Sequence, residues 1–265
     1  MNSKEKAQVL REKIASAGSM LVSFSGGVDS SLLAVIAKEE LGSNSRCVLL
    51  DSAVVPRKAI AEARQIAEDF GLQLDVIPMH VMDDDRFTKN PAERCYWCKK
   101  NSAAILKWRA GELGITCVAD GVNISDTSEH RPGLAASTEE GIIHPFIEAG
   151  LSKEDIREIA QDRGLHFWDK PSAACLSSRI PYGDEITHKK LTMVEEAEAY
   201  LHNHGFSQCR VRMHGSIARI EVIKNDICTL IASLDELVKN FKTIGFSYIT
   251  LDLEGYRSGS MDEVL

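Results

Sequence analysis

Residues 20–31 read Met20-Leu21-Val22-Ser23-Phe24-Ser25-Gly26-Gly27-Val28-Asp29-Ser30-Ser31. The first five form a short apolar run, long enough for a buried strand. Leu32 to Leu41 follows with helical periodicity. Between them lies a loop of serine and glycine. Two adjacent glycines let several backbone N–H groups turn towards one anion. Ser30 and Ser31 add hydroxyls at the helix N-terminus, where the macrodipole favours negative charge. Asp29 is placed to hold a magnesium ion against phosphates. The loop is not a Walker A loop, because no Gly-Lys-Ser/Thr follows, and it lacks the Gly-x-Gly-x-x-Gly of a dinucleotide turn.

Outward from this loop, strand and helix alternate. Residues 5–17 read as a helix with Ala7, Leu10, Ile14 and Ala17 in one stripe. Strands are expected at 47–51, 74–77 and 116–121, and helices at 56–70 and 95–113, stopped by Gly71 and Gly114. Residues 82–94 and 122–136 read as polar loops, with Asp83-Asp84-Asp85 a solvated stretch. Residues 142–145 read as a last short strand, and Ser152 caps a helix through Arg163. The pattern predicts an α/β fold, a parallel sheet with helices on both faces. Residues 169–185, with Pro171, Pro181 and Gly183, read as a functional loop or linker. Beyond it come a helix over 186–204, alternating strands at 209–213 and 218–222, a helix near 226–239 and a strand at 248–252. This predicts two domains, 1–185 and a small α+β domain over 186–265.

The chain has 265 residues, 44% hydrophobic and 26% charged, which suits a cored globular protein. Its 31 Lys and Arg against 39 Asp and Glu give a net charge of −8, which disfavours a nucleic-acid partner. No apolar run spans a membrane, and the polar N-terminus has no signal-peptide core. Seven cysteines in such a chain fit a reducing cytoplasm better than a disulfide framework.

Cys95-Tyr96-Trp97-Cys98 opens a predicted helix. The dipole there lowers thiol pKa and favours thiolate. A redox pair, half a zinc site and part of an iron–sulfur site all remain open. A structural zinc site would want four ligands, and one Cys-x-x-Cys supplies two. Cys175, in the loop 169–185, is the third candidate. Cys47, Cys117 and Cys209 in predicted strands, and Cys228 on a helix, read as small apolar residues. Trp97 could stack on a ring or simply pack.

Ser25-Gly26-Gly27-Val28-Asp29-Ser30 resembles the PP-loop of the N-type ATP pyrophosphatases, which split ATP between the α- and β-phosphates and move AMP onto a substrate oxygen. The chain also carries Asp126, Arg131-Pro132-Gly133-Leu134, Ser177-Ser178-Arg179-Ile180-Pro181-Tyr182-Gly183, Arg210-Val211-Arg212, His214, Ala218-Arg219-Ile220-Glu221, Tyr248-Ile249-Thr250-Leu251-Asp252 and Gly255-Tyr256-Arg257-Ser258-Gly259. With these, nearly the whole chain resembles the LarE family of sulfur transferases, which serve the nickel-pincer cofactor of lactate racemase. That resemblance implies a substrate, pyridinium-3,5-dicarboxylic acid mononucleotide, whose carboxylate is adenylated and converted to a thiocarboxylate. It implies ATP and Mg2+ held by Ser23, Ser25, Gly26, Gly27, Val28, Asp29, Ser30, Ser31, Asp51 and Gly121. Ser178, Arg179, Arg210, Arg212 and Glu221 are implied at the substrate, and Glu198 matches an acidic metal-site position. One branch of the family consumes a single loop cysteine as sulfur donor. Another has three cysteines and a [4Fe-4S] cluster, and Cys95, Cys98 and Cys175 together resemble that branch. The resemblance also implies a sulfide source and a homo-oligomer. A tRNA thiolase, an amide-forming synthetase and a nucleotide sensor are the competing readings.

Overall fold

A computed structural model describes residues 1–128, 132–171, 174–257, 259–261 and 263. Arg131 and Ser258, within two of the quoted motifs, lie outside the described residues, as do Ser172 and Ala173 of the 169–185 loop. In chain order the elements are α1 (Ser3–Ser16), β1 (Met20–Ser23), α2 (Val28–Leu41), β2 (Ser45–Asp51), α3 (Arg57–Asp69), β3 (Leu74–Pro78), α4 (Asp85–Thr88), α5 (Arg94–Glu112), β4 (Val118–Ala119), α6 (Pro132–Glu139), α7 (Pro145–Glu148), α8 (Lys153–Asp162), α9 (His188–Asn203), β5 (Cys209–His214), β6 (Ile217–Val222), α10 (Ile227–Ala232), α11 (Leu234–Ile244) and β7 (Tyr248–Leu251). The chain divides into two compact units, one of residues 1–81 and 93–173, the other of 82–92 and 174–265.

In the first unit the strands form a parallel sheet in the order β3-β2-β1-β4. Side chains alternate across it. Met20, Val22, Cys47, Leu49 and Ala119 join a core with Leu10 and Ile14 of α1, Leu32, Leu33 and Ile36 of α2, Ile60 and Ala63 of α3 and Ile156 of α8. Leu21, Val48 and Val118 pack on the opposite face against Ala103, Leu106 and Ala110 of α5. Apolar strands buried on both faces are what a parallel sheet requires. The α/β expectation with helices on both faces is met. Ser152 accepts from Asp155 N–H and closes a capping box on α8, as its sequence predicts.

Three local readings are corrected. Residues 132–139 form α6 rather than loop, since a proline is tolerated in a helix's first turn. Residues 142–145 contribute a single parallel bridge, Ala119 to Ile143, in place of a strand. Within 82–94, Asp83 and Asp85 are exposed as expected, but residues 85–88 form α4 in place of loop. Asp84 caps α4, accepting from Arg86 N–H at 2.9 Å, and the segment packs within the second unit.

That packing turns on Asn90, which is fully buried at φ +56°. Its Nδ2 donates to the carbonyls of Pro181 at 2.6 Å and Asp184 at 2.9 Å, and its own carbonyl accepts from Gly183 N–H at 2.9 Å. Asparagine tolerates this left-handed backbone better than most residues. The rest of the second unit is a sheet ordered β5-β6-β7, antiparallel then parallel. Val211, Met213, Ala218, Ile220 and Val222 are buried, together with Val194 and Leu201 of α9 and Leu237 and Phe241 of α11. The expected helix near 226–239 is two helices, broken at Ser233. The expected boundary at 185 and the division at 173/174 differ because α4 and the 174–186 loop fold with the second unit.

Candidate active site

Gly26 sits at φ +69°, and a Cβ there would stand 2.6 Å from Ala63 Cβ of α3. No side chain fits, so the loop lies tight against the helix. Gly27 caps α2 without a side-chain bond, leaving its first-turn N–H groups uncapped by a side chain. The serines order the turn. Ser30 Oγ accepts from Ser25 N–H at 3.2 Å and lies 2.9 Å from Ser25 Oγ. Ser31 Oγ is buried with no hydrogen-bond partner among the described residues. Gly121, past the end of β4, touches this loop: a Cβ there would lie 2.8 Å from Ser30 N. Ser23 ends β1, and Val28 opens α2 and is buried. Asp51, at the end of β2, accepts from Arg57 Nη1 at 2.5 Å. Thus Ser23, Ser25 to Ser31 and Gly121 are brought to one end of the sheet, with Asp51 at the same end of the neighbouring strand.

Asp29 is held by residues the sequence reading missed. Lys153 Nζ, from the first position of α8, donates to Asp29 Oδ2 at 2.7 Å, and Asn123 Nδ2 donates to Oδ1 at 3.1 Å. Lys170 Nζ donates to Gly26 O at 2.9 Å and pairs with Glu62 at 2.9 Å. The one local hint was position: Lys153 directly follows a helix cap, where a side chain can reach back over an adjacent loop. Asp120, before Gly121, is nearly buried and bonds His144 Nδ1 at 2.7 Å, while its Oδ2 lies 3.6 Å from Lys99 Nζ. Burial pushes its carboxyl up, but His144, Lys99 and the Val122 N–H together hold it below the ordinary carboxylate value.

Cys95 lies in the first turn of α5 and Cys98 at the start of the second, exposed and half-buried respectively. Tyr96 OH donates to Glu139 of α6 at 2.7 Å, and Trp97 meets the Tyr96 ring edge-on at 5.2 Å. All seven cysteines are described and none is in a disulfide. Burial pushes the thiols of Cys47 and Cys209 up to about 12, so both stay neutral. Cys228 is exposed rather than buried. Among the described residues no three His, Cys, Asp or Glu side chains form a group ready to hold a metal ion.

Cys175 belongs to the second unit, half-buried, at the head of a 3-10 turn over Leu176–Arg179. Arg179 holds that turn. Its Nη1 donates to the carbonyls of Ala174 and Cys175, both at 2.9 Å, and to Ser178 Oγ. Its Nε and Nη2 make a bidentate pair with Glu198 at 2.9 and 3.0 Å. Glu198 Oε1 also accepts from Val211 N–H at 3.0 Å. Burial alone would lower the Arg179 pKa, and Glu198 more than offsets it.

Register places Arg210 opposite Glu221 and Arg212 opposite Arg219 on one face of the β5–β6 pair. Two arginines facing each other repel unless an anion lies between them. Glu221, fully buried, supplies it: Oε2 accepts from Arg212 at 2.9 Å and Oε1 from Arg219 at 3.1 Å. Arg212 Nη1 also donates to Ser178 O at 3.1 Å. The Nε groups of Arg212 and Arg219 are buried with no partner among the described residues. Burial, with Arg179 beside it, lowers the pKa of Arg210, whose guanidinium lies over the Tyr256 ring at 5.3 Å. The substrate contacts implied by the sequence had not included Arg219.

A doubly covered parallel sheet with this loop at the start of α2 defines an enzyme of the PP-loop ATP pyrophosphatase class, with ATP and Mg2+ as its cofactors. The family model for NAD synthase matches residues 3–104. The chain is 36% identical over 245 residues, 92% of its length and 89% of the relative's, to the pyridinium-3,5-bisthiocarboxylic acid mononucleotide synthase of Lactiplantibacillus plantarum, and it belongs to that family, the LarE family. It is 40% identical over 262 residues, 98% of each chain, to the uncharacterized protein slr1717 of Synechocystis sp.. The GMP synthase of Clostridium novyi is 26% identical over 219 residues, 74% of this chain and 41% of that protein. No helix among the described residues is long and apolar enough to cross a membrane.

Proposed function

We propose that the protein is an ATP-dependent sulfur transferase that adenylates a carboxylate of pyridinium-3,5-dicarboxylic acid mononucleotide and converts it to a thiocarboxylate. The observation that carries this reading is the uncapped start of α2, with Asp29 poised between Lys153 and Asn123. Loop N–H groups and the hydroxyls of Ser25, Ser30 and Ser31 receive the β- and γ-phosphates. Asp29 would hold magnesium, a hard ion suited to a carboxylate, and Lys153 beside it supplies a positive charge for the departing pyrophosphate. Ser23, Gly121 and Asp51 complete the nucleotide contacts. A substrate carboxylate oxygen attacks the α-phosphorus, the bond to the bridging oxygen breaks, and pyrophosphate leaves. A sulfur nucleophile then attacks the acyl carbon and AMP departs with the original oxygen.

In the second unit, Arg210 and Arg212 hold the substrate's phosphate monoester, which suits a guanidinium fork. Glu221 keeps Arg212 in place, Ser178 lines the same site, and Arg179 with Glu198 sets the turn that bears Cys175. Cys95, Cys98 and Cys175 are the thiols we assign to a [4Fe-4S] cluster. The donor set fits by chemistry, being three thiols outside disulfides, each at least partly open to solvent. When bound, such a cluster supplies a soft iron site for hydrosulfide. One second reading keeps Cys175, half-buried at the head of its turn, as a donor that gives up its own sulfur. The proposal also includes a sulfide source, a homo-oligomeric state and a reducing cytoplasm, the compartment that keeps cysteines out of disulfides.

The test is anaerobic incubation with ATP, magnesium, sulfide and the dicarboxylate mononucleotide. The reading expects pyrophosphate and AMP in step with a product in which sulfur has replaced one oxygen. Release of ADP, or pyrophosphate release with no sulfur product, would contradict it. Loss of sulfur from Cys175 in step with product would select the second reading.

A further inference from the structure

The arginine face of the β5–β6 pair is joined by the chain that follows β7. Gly255, at φ +74°, turns that chain back beside β6, where a Cβ would stand 2.8 Å from Val222 O. Tyr256 N–H then donates to Val222 O at 2.8 Å. Arg257 Nη1 binds Asp252 at 3.2 Å, and Asp252 lies 3.5 Å from Arg219 Nη1. Ser260, only 4% exposed, donates its hydroxyl to Glu221 Oε1 at 2.7 Å. Met261, also buried, offers its sulfur to Arg219 Nη2 at 3.5 Å. This segment brings a neutral donor to a carboxylate that already serves two arginines.

We propose that Ser260 is a positioning residue for phosphate recognition. The proposal rests on the reading that this face holds the substrate's phosphate. A buried carboxylate must have its lone pairs filled. Glu221 receives one bond from each arginine's terminal nitrogen and a third from Ser260. That third bond fixes the plane of the carboxylate. Without it, Glu221 Oε1 is free to rotate towards the buried Nε groups of Arg212 and Arg219, which have no partner among the described residues. That rotation would turn the Arg212 guanidinium away from the pose in which it is proposed to hold the phosphate monoester. The hydroxyl thus keeps the protein's own carboxylate from displacing a phosphate-binding arginine.

The experiment compares binding of two probes by titration calorimetry, a pyridinium carboxylate mononucleotide and its riboside without the phosphate. For Ser260→Ala, mononucleotide affinity should fall about tenfold, the scale of one hydrogen bond to a charged group. Riboside affinity should not change, and Ser260→Thr should restore mononucleotide binding. If wild type prefers the mononucleotide and Ser260→Ala does so equally, this proposal fails alone. Equal loss of both probes in Ser260→Ala also overturns it, since general loosening does not discriminate by phosphate. If wild type gains nothing from the phosphate, the arginine-face reading fails and takes the proposal with it.

Discussion

Asp29 is the residue on which the proposed nucleotide chemistry turns. Its oxygens are shared between Lys153 at 2.7 Å and Asn123 at 3.1 Å, and a magnesium ion would draw on the same lone pairs. Asp29→Asn should lower substrate-dependent pyrophosphate release by about a hundredfold or more, the scale of losing a transition-state charge contact. Lys153→Ala should lower it to a similar degree while leaving the fold intact, which circular dichroism and a pyrophosphate assay check together. Gly26→Ala should cost both fold and activity, because φ +69° and the 2.6 Å approach to Ala63 leave no room for a methyl group. Most of the nucleotide loop was legible in sequence, since it is six consecutive residues with one physical purpose. Lys153, Asn123 and Lys170 were not, because nothing local marks a side chain that reaches Asp29 or Gly26 from far along the chain. Arg179 was read as a substrate contact, and its occupation by Glu198 and the Ala174 and Cys175 carbonyls is a tertiary fact the sequence does not display.

Among the elements, the strands were read best. β1 and the middle of β2 are apolar runs buried on both faces, and such runs declare themselves, while β3 is a half-buried strand marked by its apolar run Val76-Ile77. The segment 82–92 hid because its fold is set by Asn90 acting on residues about ninety positions away. Asn90→Ala should destabilise the second unit by about 1–3 kcal/mol, since it strands part-buried carbonyls of the 180–184 loop. Limited proteolysis should then cut first within residues 180–186. Cutting first in the α1–α3 region instead would show that Asn90 does not carry that loop. The α10–α11 break at Ser233 and the α6 helix behind Pro132 were missed for a simpler reason. Periodicity does not reveal a one-residue break, and a proline marks a helix start as well as a stop.

For the molecule as a whole, the cysteines and the buried carboxylates give solution tests. In folded, cluster-free protein at mildly alkaline pH, iodoacetamide should modify Cys95 and Cys228, both exposed, and spare Cys47 and Cys209, whose buried thiols are pushed up to about 12. Peptide mass mapping reads the outcome, and early labelling of Cys47 would contradict the packing of β2. Asp120 has a folded pKa below its ordinary value, so its contribution to stability is full above that value and is lost as pH falls through the lower, folded one. The melting temperature of wild type should therefore drop on acidification below about pH 4 more steeply than that of Asp120→Asn. The two-unit division was only half legible, since composition marks a change of pattern near residue 186 but not the chain's earlier crossing at 82–92. The central claim is that a substrate carboxylate is adenylated before sulfur replaces its oxygen. The most direct test labels the substrate carboxylates with heavy oxygen and recovers the AMP. The account predicts that the label appears in the phosphate of AMP in step with thiocarboxylate; unlabelled AMP beside thiocarboxylate would contradict it.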